Sequence, residues 1–264
     1  MITSVHNPKI QLVRRLQAQA KARHEERAFV IEGVRLAEEA LQSAWEARLV
    51  LFTDQLDERG KAVVDGFSSR GVPVEQVTDA VMKAVSETET PQGLLVILAL
   101  QTLPLPPAPG FLLILDGLRD PGNLGTILRT AAAASVQAVF LTPGTADAYA
   151  PKVVRAGMGA HFRMSIHSMA WVEIKLILKQ GSVNLRVYLA DSVDGIPYTQ
   201  ADFRSPLAII VGGEAAGAGT EAISLADEKV HIPMPGGSES LNAGIAASIL
   251  LFEVVRQRSL QPAN

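Results

Sequence analysis

The chain is predicted to be an α/β protein with two parts: a small mixed α/β domain, then a larger, mostly parallel sheet covered by helices on both faces. Three observations lead there. Short apolar runs recur along the chain with helix-like patterns between them. The stretch QTLPLPPAPG, 101–110, holds four prolines in ten residues and reads as a stiff extended connector. At 264 residues and 48% apolar, the chain can bury one large core or two ordinary ones.

These observations place a first domain at 1–101, a linker at 102–110 and a second domain at 111–264. In the first, strand-like FVIEG (29–33), RLVLFT (48–53) and LLVILAL (94–100) alternate with helical patterns at 34–41 and 80–86. In the second, apolar strands are expected near 111–115, 137–141, 185–190, 207–212 and 229–233, with helices between them. The segment LDGLRDPGNLGTILR, 115–129, joins the first of these strands to a helix through the turn signals Asp116-Gly117 and Asp120-Pro121-Gly122. Asn123 is read as the helix N-cap, with Leu124, Ile127, Leu128 and Ala131 following at helical spacing and Arg129 about two turns in. A plain cap and a solvated arginine are the simpler readings of Asn123 and Arg129.

Two later segments shift that balance. IIVGGEAAG, 209–217, is an apolar strand ending in a glycine-rich turn that carries Glu214. IPMPGGSESLNAGIAASILLFEVVRQR, 232–258, is a strand end, a Gly/Ser loop and a long apolar helix with Ser240 and Asn242 at its start. The dinucleotide fingerprint G-x-G-x-x-G and the P-loop pattern are both missing from the sequence, which counts against a dehydrogenase or other nucleotide-using enzyme of those kinds. In order and spacing, the three segments resemble the signature motifs of the SpoU (TrmH) family of RNA 2′-O-ribose methyltransferases, in the SPOUT superfamily. The first motif's Asn and Arg fall on Asn123 and Arg129, the second's Gly-x-Glu on Gly212-Gly213-Glu214, and the third's on Ile232-Pro233-Met234 and Ser240-Leu241-Asn242. One departure is Ala243-Gly244-Ile245-Ala246, where the family often has Val-Ser-Val-Ala; Gly244 is expected to loosen the first helical turn by up to about 1 kcal/mol. The first domain also fits, since Val5-His6-Asn7-Pro8 and Phe29 to Gly33 resemble the substrate-binding domain of many such enzymes, itself similar to the RNA binder ribosomal protein L30e.

The resemblance implies a deep carboxyl-terminal trefoil knot, an exception to the rule against threaded chains. It implies S-adenosylmethionine held by Gly212, Gly213, Glu214, Ile232, Met234, Ser240, Leu241 and Asn242, and a homodimer with its site at the subunit contact. The helix from Asn242 to Val255 is the candidate interface, or equally intrachain core. Catalysis is assigned to Asn123, Arg129, Glu214, Ser240 and Asn242. Arg129 either sheds a proton with a phosphate's help or stabilises the developing alkoxide, because a guanidinium of pKa above about 12 is a poor base in water. The implied reaction is methylation of a ribose 2′-hydroxyl in 23S ribosomal RNA; the alternatives are a tRNA 2′-O-methyltransferase and a non-catalytic RNA-binding protein on the same fold.

Composition adds exclusions. With no cysteine there are no disulfides or thiolate nucleophiles, and the five histidines show no metal-ligand spacing, so no metal is expected. No apolar run approaches the ~18–20 residues of a membrane span and the start lacks a secretory pattern, which makes the cytoplasm the default. A net charge of −3 hides a basic start: Lys9, Arg14, Arg15, Lys21, Arg23 and Arg27 face only Glu25 and Glu26 within residues 1–30. A solvated helical face is the plainer reading; the resemblance favours contact with an RNA backbone, as it does for Arg155, which lies near Lys152 and Arg163.

Overall fold

Two runs of β-branched and aliphatic residues set the first unit. In Ala28–Glu32 (β1) and Leu94–Ala99 (β4), odd and even positions are both buried, so each strand must be covered on both faces. One face gathers Phe29, Ile31, Val50, Val96 and Leu98, and the other Ala28, Val30, Leu49, Leu51, Leu95 and Ile97. The structure, a computed structural model, describes residues 1–181, 183–192, 194–213 and 217–260. The chain folds as two compact units, 1–101 with 149–162, and 102–148 with 163–264.

The first unit starts with α1 (Pro8–Ala18), capped by Asn7 with Pro8 in the first turn, and α2 (Ala20–Glu26). After β1 come α3 (Val34–Gln42), β2 (Ala47–Phe52), α4 (Glu58–Ser69), β3 (Val74–Gln76), α5 (Asp79–Val85) and β4. The sheet order is β1-β4-β2-β3, with β4 antiparallel to both neighbours and β3 parallel to β2. The helix α7 (Pro151–Gly157), from much later in the chain, completes this unit: Val154 is buried in its core, and the Tyr149 ring packs 5.0 Å from Phe29. The strand β3 was not expected from the sequence, since three half-buried residues carry too little apolar pattern to be seen.

The second unit is built on β5 (Phe111–Asp116), α6 (Pro121–Ala133), β6 (Ala138–Leu141), β7 (Ser165–Ser168), α8 (Trp171–Gln180), β8 (Arg186–Asp191), β9 (Ile196–Pro197), β10 (Leu207–Gly212), α9 (Thr220–Leu225), β11 (Glu228–His231) and α10 (Ala243–Ser259). Its strands order as β7-β6-β5-β10-β8-β11-β9, every pairing parallel. One face of that sheet, with Leu112, Ile114, Phe140, Leu189 and Ile210, is covered by α8 through Ile174 and by α9 through Ala222. On α6 and β10 rests α10. The expected strands are present; β7 and β9 were missed because one is polar at three of its four positions (Ser-Ile-His-Ser) and the other is two residues long. The proline-rich segment has no helix or strand, as expected of it, but it does not hang free: Leu105 packs on the second unit's core, and the Leu103 carbonyl accepts from Ser165 Oγ at 2.6 Å.

The end of α10 is locked by Arg258. Its guanidinium donates to the carbonyls of Gly110 (2.9 Å), Ser205 (3.1 Å) and Phe203 (3.2 Å) and lies 5.0 Å from the Phe111 ring centroid. Burial pulls this guanidinium below its ordinary pKa, a desolvation cost that the three acceptors offset. Arg258→Lys is therefore expected to lower stability by about 1–3 kcal/mol in a denaturant titration, since an ammonium cannot span a fork of three carbonyls. An unchanged midpoint would show that the fork contributes nothing.

Candidate active site

The carboxyl ends of parallel strands are where loops converge, and β5, β6 and β10 end side by side. Asp116, the last residue of β5, ties three of those loops together. Its Oδ1 accepts from Thr142 Oγ1 at 2.9 Å, just past β6, and its Oδ2 accepts from Gly219 N at 2.7 Å, beyond the glycine turn after β10. Thr142 Oγ1 in turn accepts from Gly117 N at 3.1 Å. In the sequence Asp116 stands out only as a turn signal; its partners lie 26 and 103 residues away, where local pattern carries no information.

The helix α6 begins three residues earlier than expected. Asp120 is its cap, accepting from Asn123 N at 2.7 Å, and Pro121 occupies the first helical position. Asn123 therefore sits inside the first turn, and its side chain serves another contact. Its Oδ1 accepts from Asn242 Nδ2 at 2.8 Å, which joins the first motif to the third across 119 residues. Asn242 is the cap of α10, as read from the sequence, with Oδ1 accepting from Gly244 N (2.9 Å) and Ile245 N (3.2 Å). Both ends of that amide are thus engaged within the chain, which makes Asn242 a residue that positions its neighbours.

Gly244 is buried in the first turn of α10, next to the cap. A Cβ there would lie 3.1 Å from Asn242 Oδ1 and 3.5 Å from both Asn123 Oδ1 and Thr126 Cγ2. The tight neighbour is thus the cap of its own helix, while the α6 atoms would stand at ordinary contact distance; α10 and α6 meet here, and Thr130 Oγ1 and Ser248 Oγ continue the contact at 3.2 Å. Gly212 and Gly213 are likewise spoken for. A Cβ on Gly212 would fall 2.5 Å from the Gly217 carbonyl carbon and one on Gly213 2.6 Å from Gly117 O, so these glycines admit backbone to backbone. They were expected to admit backbone to a ligand. Gly236 and Gly237 do face open space, with Gly237 at φ +75°.

Of the third motif's other residues, Ile232 and Met234 are half-buried, and Ser240 and Leu241 are exposed. Among the described residues, Ser238 to Leu241 form no hydrogen bond within the chain. Arg129 is exposed and makes no hydrogen bond or ion pair among the described residues. It lies six residues beyond Asn123, about 9 Å along the axis and roughly a third of a turn around the helix, so the two do not share a face of α6. Glu214 falls in 214–216, outside the described residues.

In the first unit, the basic start is largely neutralised by its own neighbours. Lys9 pairs with Glu75, Arg15 with Glu26 at 2.5 Å and Lys21 with Glu25 at 3.6 Å, while Arg14 donates to Ala84 O at 3.3 Å. Arg23 corrects the sequence reading outright: it is 4% exposed and donates to the carbonyls of Leu16 (2.5 Å) and Gln17 (3.0 Å), so it holds α1 and α2 together and presents no charge to a ligand. Arg27 is exposed at the left-handed end of α2, and Arg155 pairs with Glu87 at 3.0 Å.

With this geometry in hand, comparison with known proteins is informative. The SpoU rRNA Methylase family matches residues 110–252, and the MRM3-like substrate binding domain matches 7–96. The 23S rRNA (guanosine(2553)-2'-O)-methyltransferase RlmP of Bacillus subtilis is 34% identical over 253 residues, covering 96% of this chain and 98% of that protein. The crystal structure of an AdoMet-bound rRNA methyltransferase from Sinorhizobium meliloti superposes with a TM-score of 0.87 at 30% identity, covering 99% of this chain and 98% of that one. A TrmH/SpoU tRNA modifying enzyme from A. aeolicus superposes at 0.50 and 26% identity, covering 59% of this chain and 79% of that one.

Proposed function

The chain belongs to the SpoU rRNA methylase family and is an RNA 2′-O-methyltransferase that uses S-adenosylmethionine, and on that premise we propose that it methylates a ribose 2′-hydroxyl of 23S ribosomal RNA. The observation that carries the substrate is coverage. Relatives named for rRNA match both units nearly end to end, whereas the tRNA-modifying structure spans 59% of the chain.

The residues around the third motif fit the cofactor: apolar Ile232, Met234 and Leu241, a stretch 238–241 that forms no hydrogen bond among the described residues, and Gly236 and Gly237, which face open space. S-adenosylmethionine supplies a methyl group already activated on a sulfonium. The protein's part is alignment of the attacking oxygen and removal of its proton. We assign the charge-bearing role to Arg129, whose guanidinium has no competing partner among the described residues and is free to hold a phosphate or a developing alkoxide. The Asn123–Asn242 bond positions the start of α10 and with it the 238–241 loop, which includes Ser240; Glu214 keeps the role the second motif implies for it and lies outside the described residues. Asp116 ties Gly219, which follows the second motif in sequence, to the end of β5. Calorimetry without added metal is expected to show binding of S-adenosylmethionine or S-adenosylhomocysteine; no heat from either at millimolar ligand would contradict the cofactor assignment.

The same reading includes a trefoil knot through these carboxyl-terminal loops, a cytoplasmic setting like that of a bacterial rRNA enzyme, and a homodimer. No described helix is long and apolar enough to cross a membrane. The dimer is supported by α10, where Ile245 (51% exposed) and Phe252 (49%) lie two turns apart on one stripe with half-buried Ile249 between them. Light scattering is expected to give twice the chain mass of 28.1 kDa at micromolar concentration, and Phe252→Asp to give the monomer. A monomer mass for the unmodified protein throughout that range would remove the dimer.

A further inference from the structure

A pocket opens in the second unit at the carboxyl ends of β6 and β7, on the side of β5 away from β10. Its volume is about 390 Å³, inside the ~300–1,000 Å³ typical of ligand sites. Two loops wall it in: the turn that follows β6, and the passage Met169-Ala170 from β7 into α8. Both are pinned. In the first, Thr145 N donates to Thr142 O (3.1 Å), Thr145 Oγ1 to Leu115 O (3.1 Å) and Ala146 N to Leu118 O (2.8 Å), so the turn is fastened to β5 and to the loop beyond it. In the second, Met169 N donates to Leu141 O at 3.1 Å, and Glu173 Oε2 accepts from Ala170 N at 2.8 Å.

The polar groups of this lining divide into those already used and those left over. The Thr142 and Thr145 hydroxyls donate to Asp116 Oδ1 and Leu115 O, and are used. The Ser168 hydroxyl is exposed and forms no hydrogen bond among the described residues. Glu173 is exposed too; no cation pairs with it among the described residues, and its Oε1 takes no hydrogen bond there. Leu141, Pro143 and Met169 supply the apolar part of the lining. A cation stands on the adjoining loop: Arg119, next to the Leu118 carbonyl that Ala146 N holds, is exposed and has no partner among the described residues. The carboxylates nearest it in sequence are engaged elsewhere, Asp116 by Thr142 and Gly219 and Asp120 by Asn123 N.

We propose that this pocket selects an unpaired guanine of the substrate RNA near the methylated ribose, with Glu173 on its Watson–Crick edge, Ser168 on O6 and Arg119 on a phosphate of the same strand. The inference rests on the rRNA methyltransferase reading and adds a base-specificity site to it. A carboxylate only accepts hydrogen bonds, so it selects an edge made of donors. Guanine alone among the four bases presents two adjacent donors, N1–H and the 2-amino group, with a carbonyl beside them for a hydroxyl to reach. Adenine, cytosine and uracil each set an acceptor next to their single donor, which would face the carboxylate lone pair to lone pair. The thioether of Met169 suits the face of a flat aromatic ring.

The test uses the full chain and deproteinised 23S rRNA transcripts carrying either 6-thioguanosine or 4-thiouridine. Glu173→Gln separates base recognition from the helix cap, because the amide oxygen can still accept from Ala170 N while the amino group turns an acceptor into a donor. It is expected to leave the melting temperature and cofactor affinity unchanged and to raise the KM for RNA roughly tenfold, the order of one good base-edge pair. Ser168→Ala should raise KM by roughly threefold, and Arg119→Ala should lower the salt slope of binding by about 0.7, as loss of one single-strand phosphate contact requires. Crosslinks from 6-thioguanosine should map to the peptide holding Ser168 and Glu173 and disappear in Glu173→Gln. The charge-matched control Asp65→Asn, on exposed α4 surface, should leave KM within about twofold. Unchanged KM in Glu173→Gln, an equal rise in the control, or crosslinks to this peptide from 4-thiouridine in place of 6-thioguanosine would each overturn the proposal. If 6-thioguanosine crosslinks here and the crosslink depends on Glu173, but the unmodified protein transfers no methyl group, the pocket stands and the methyltransferase reading of the substrate fails.

Discussion

Arg129→Ala is expected to cut turnover by roughly a hundredfold while leaving RNA and cofactor binding nearly intact, the order of loss when one positioned charge-stabilising or proton-handling group is removed. The expectation follows from what this arginine does not do within the chain. It is exposed on α6 and engages no carboxylate among the described residues, so its removal breaks no internal contact there and leaves the fold unchanged. Arg129→Lys should not restore activity, because a flexible ammonium cannot present a planar fork to a phosphate or an alkoxide. Single-turnover rates with saturating cofactor and RNA make the comparison. Retention of most activity by the alanine variant would take the chemistry away from Arg129.

The second large effect is expected at Asp116. Its carboxylate joins the ends of β5 and β6 to Gly219, so Asp116→Ala leaves the Gly219 N–H and the Thr142 hydroxyl without their acceptor. Hydrogen bonds to a charged group contribute about 1.5–3 kcal/mol, and the hold of β5 on Gly219 should weaken by that order. Cofactor affinity is then expected to fall at least tenfold, with the KM for RNA little changed. Asp116→Asn keeps one acceptor and should lose much less. Equal losses in both variants, or a fall in melting temperature without any change in cofactor affinity, would show that Asp116 serves the fold alone. A purely structural role would not separate the two substrates in this way.

Much of the architecture was legible because strands such as Phe111–Asp116 and Leu94–Ala99 are nearly unbroken apolar runs, and such runs leave few alternatives to a strand buried on both faces. The motif residues at α10 were legible for a local reason too, since an Asn before a long apolar helix is a cap wherever it occurs. At α6 the same logic chose Asn123 over Asp120, although the Asp-Pro pair already carried the signal of a cap followed by proline in the first turn. Distant partners left no such mark. Neither the Asp116–Gly219 bond nor the Asn123–Asn242 bond can be read from neighbours in sequence, because each joins chain segments more than a hundred residues apart. Charge counting failed for Arg23 because composition does not say which way a side chain points. The segment 149–162 lies between two strands of the second unit's sheet and yet packs in the first unit's core, an arrangement set by Tyr149 and Val154 finding Phe29 and its neighbours.

The most direct measurement of the central claim is methyl transfer from labelled S-adenosylmethionine to 23S rRNA, followed by alkaline digestion of the RNA. A 2′-O-methyl group blocks cleavage at its own phosphodiester, so the label is expected in a single uncleaved dinucleotide, and Arg129→Ala should abolish most of it. Label recovered in mononucleotides, on a base, or in tRNA in preference to 23S rRNA would contradict the assignment of ribose chemistry on ribosomal RNA to this protein.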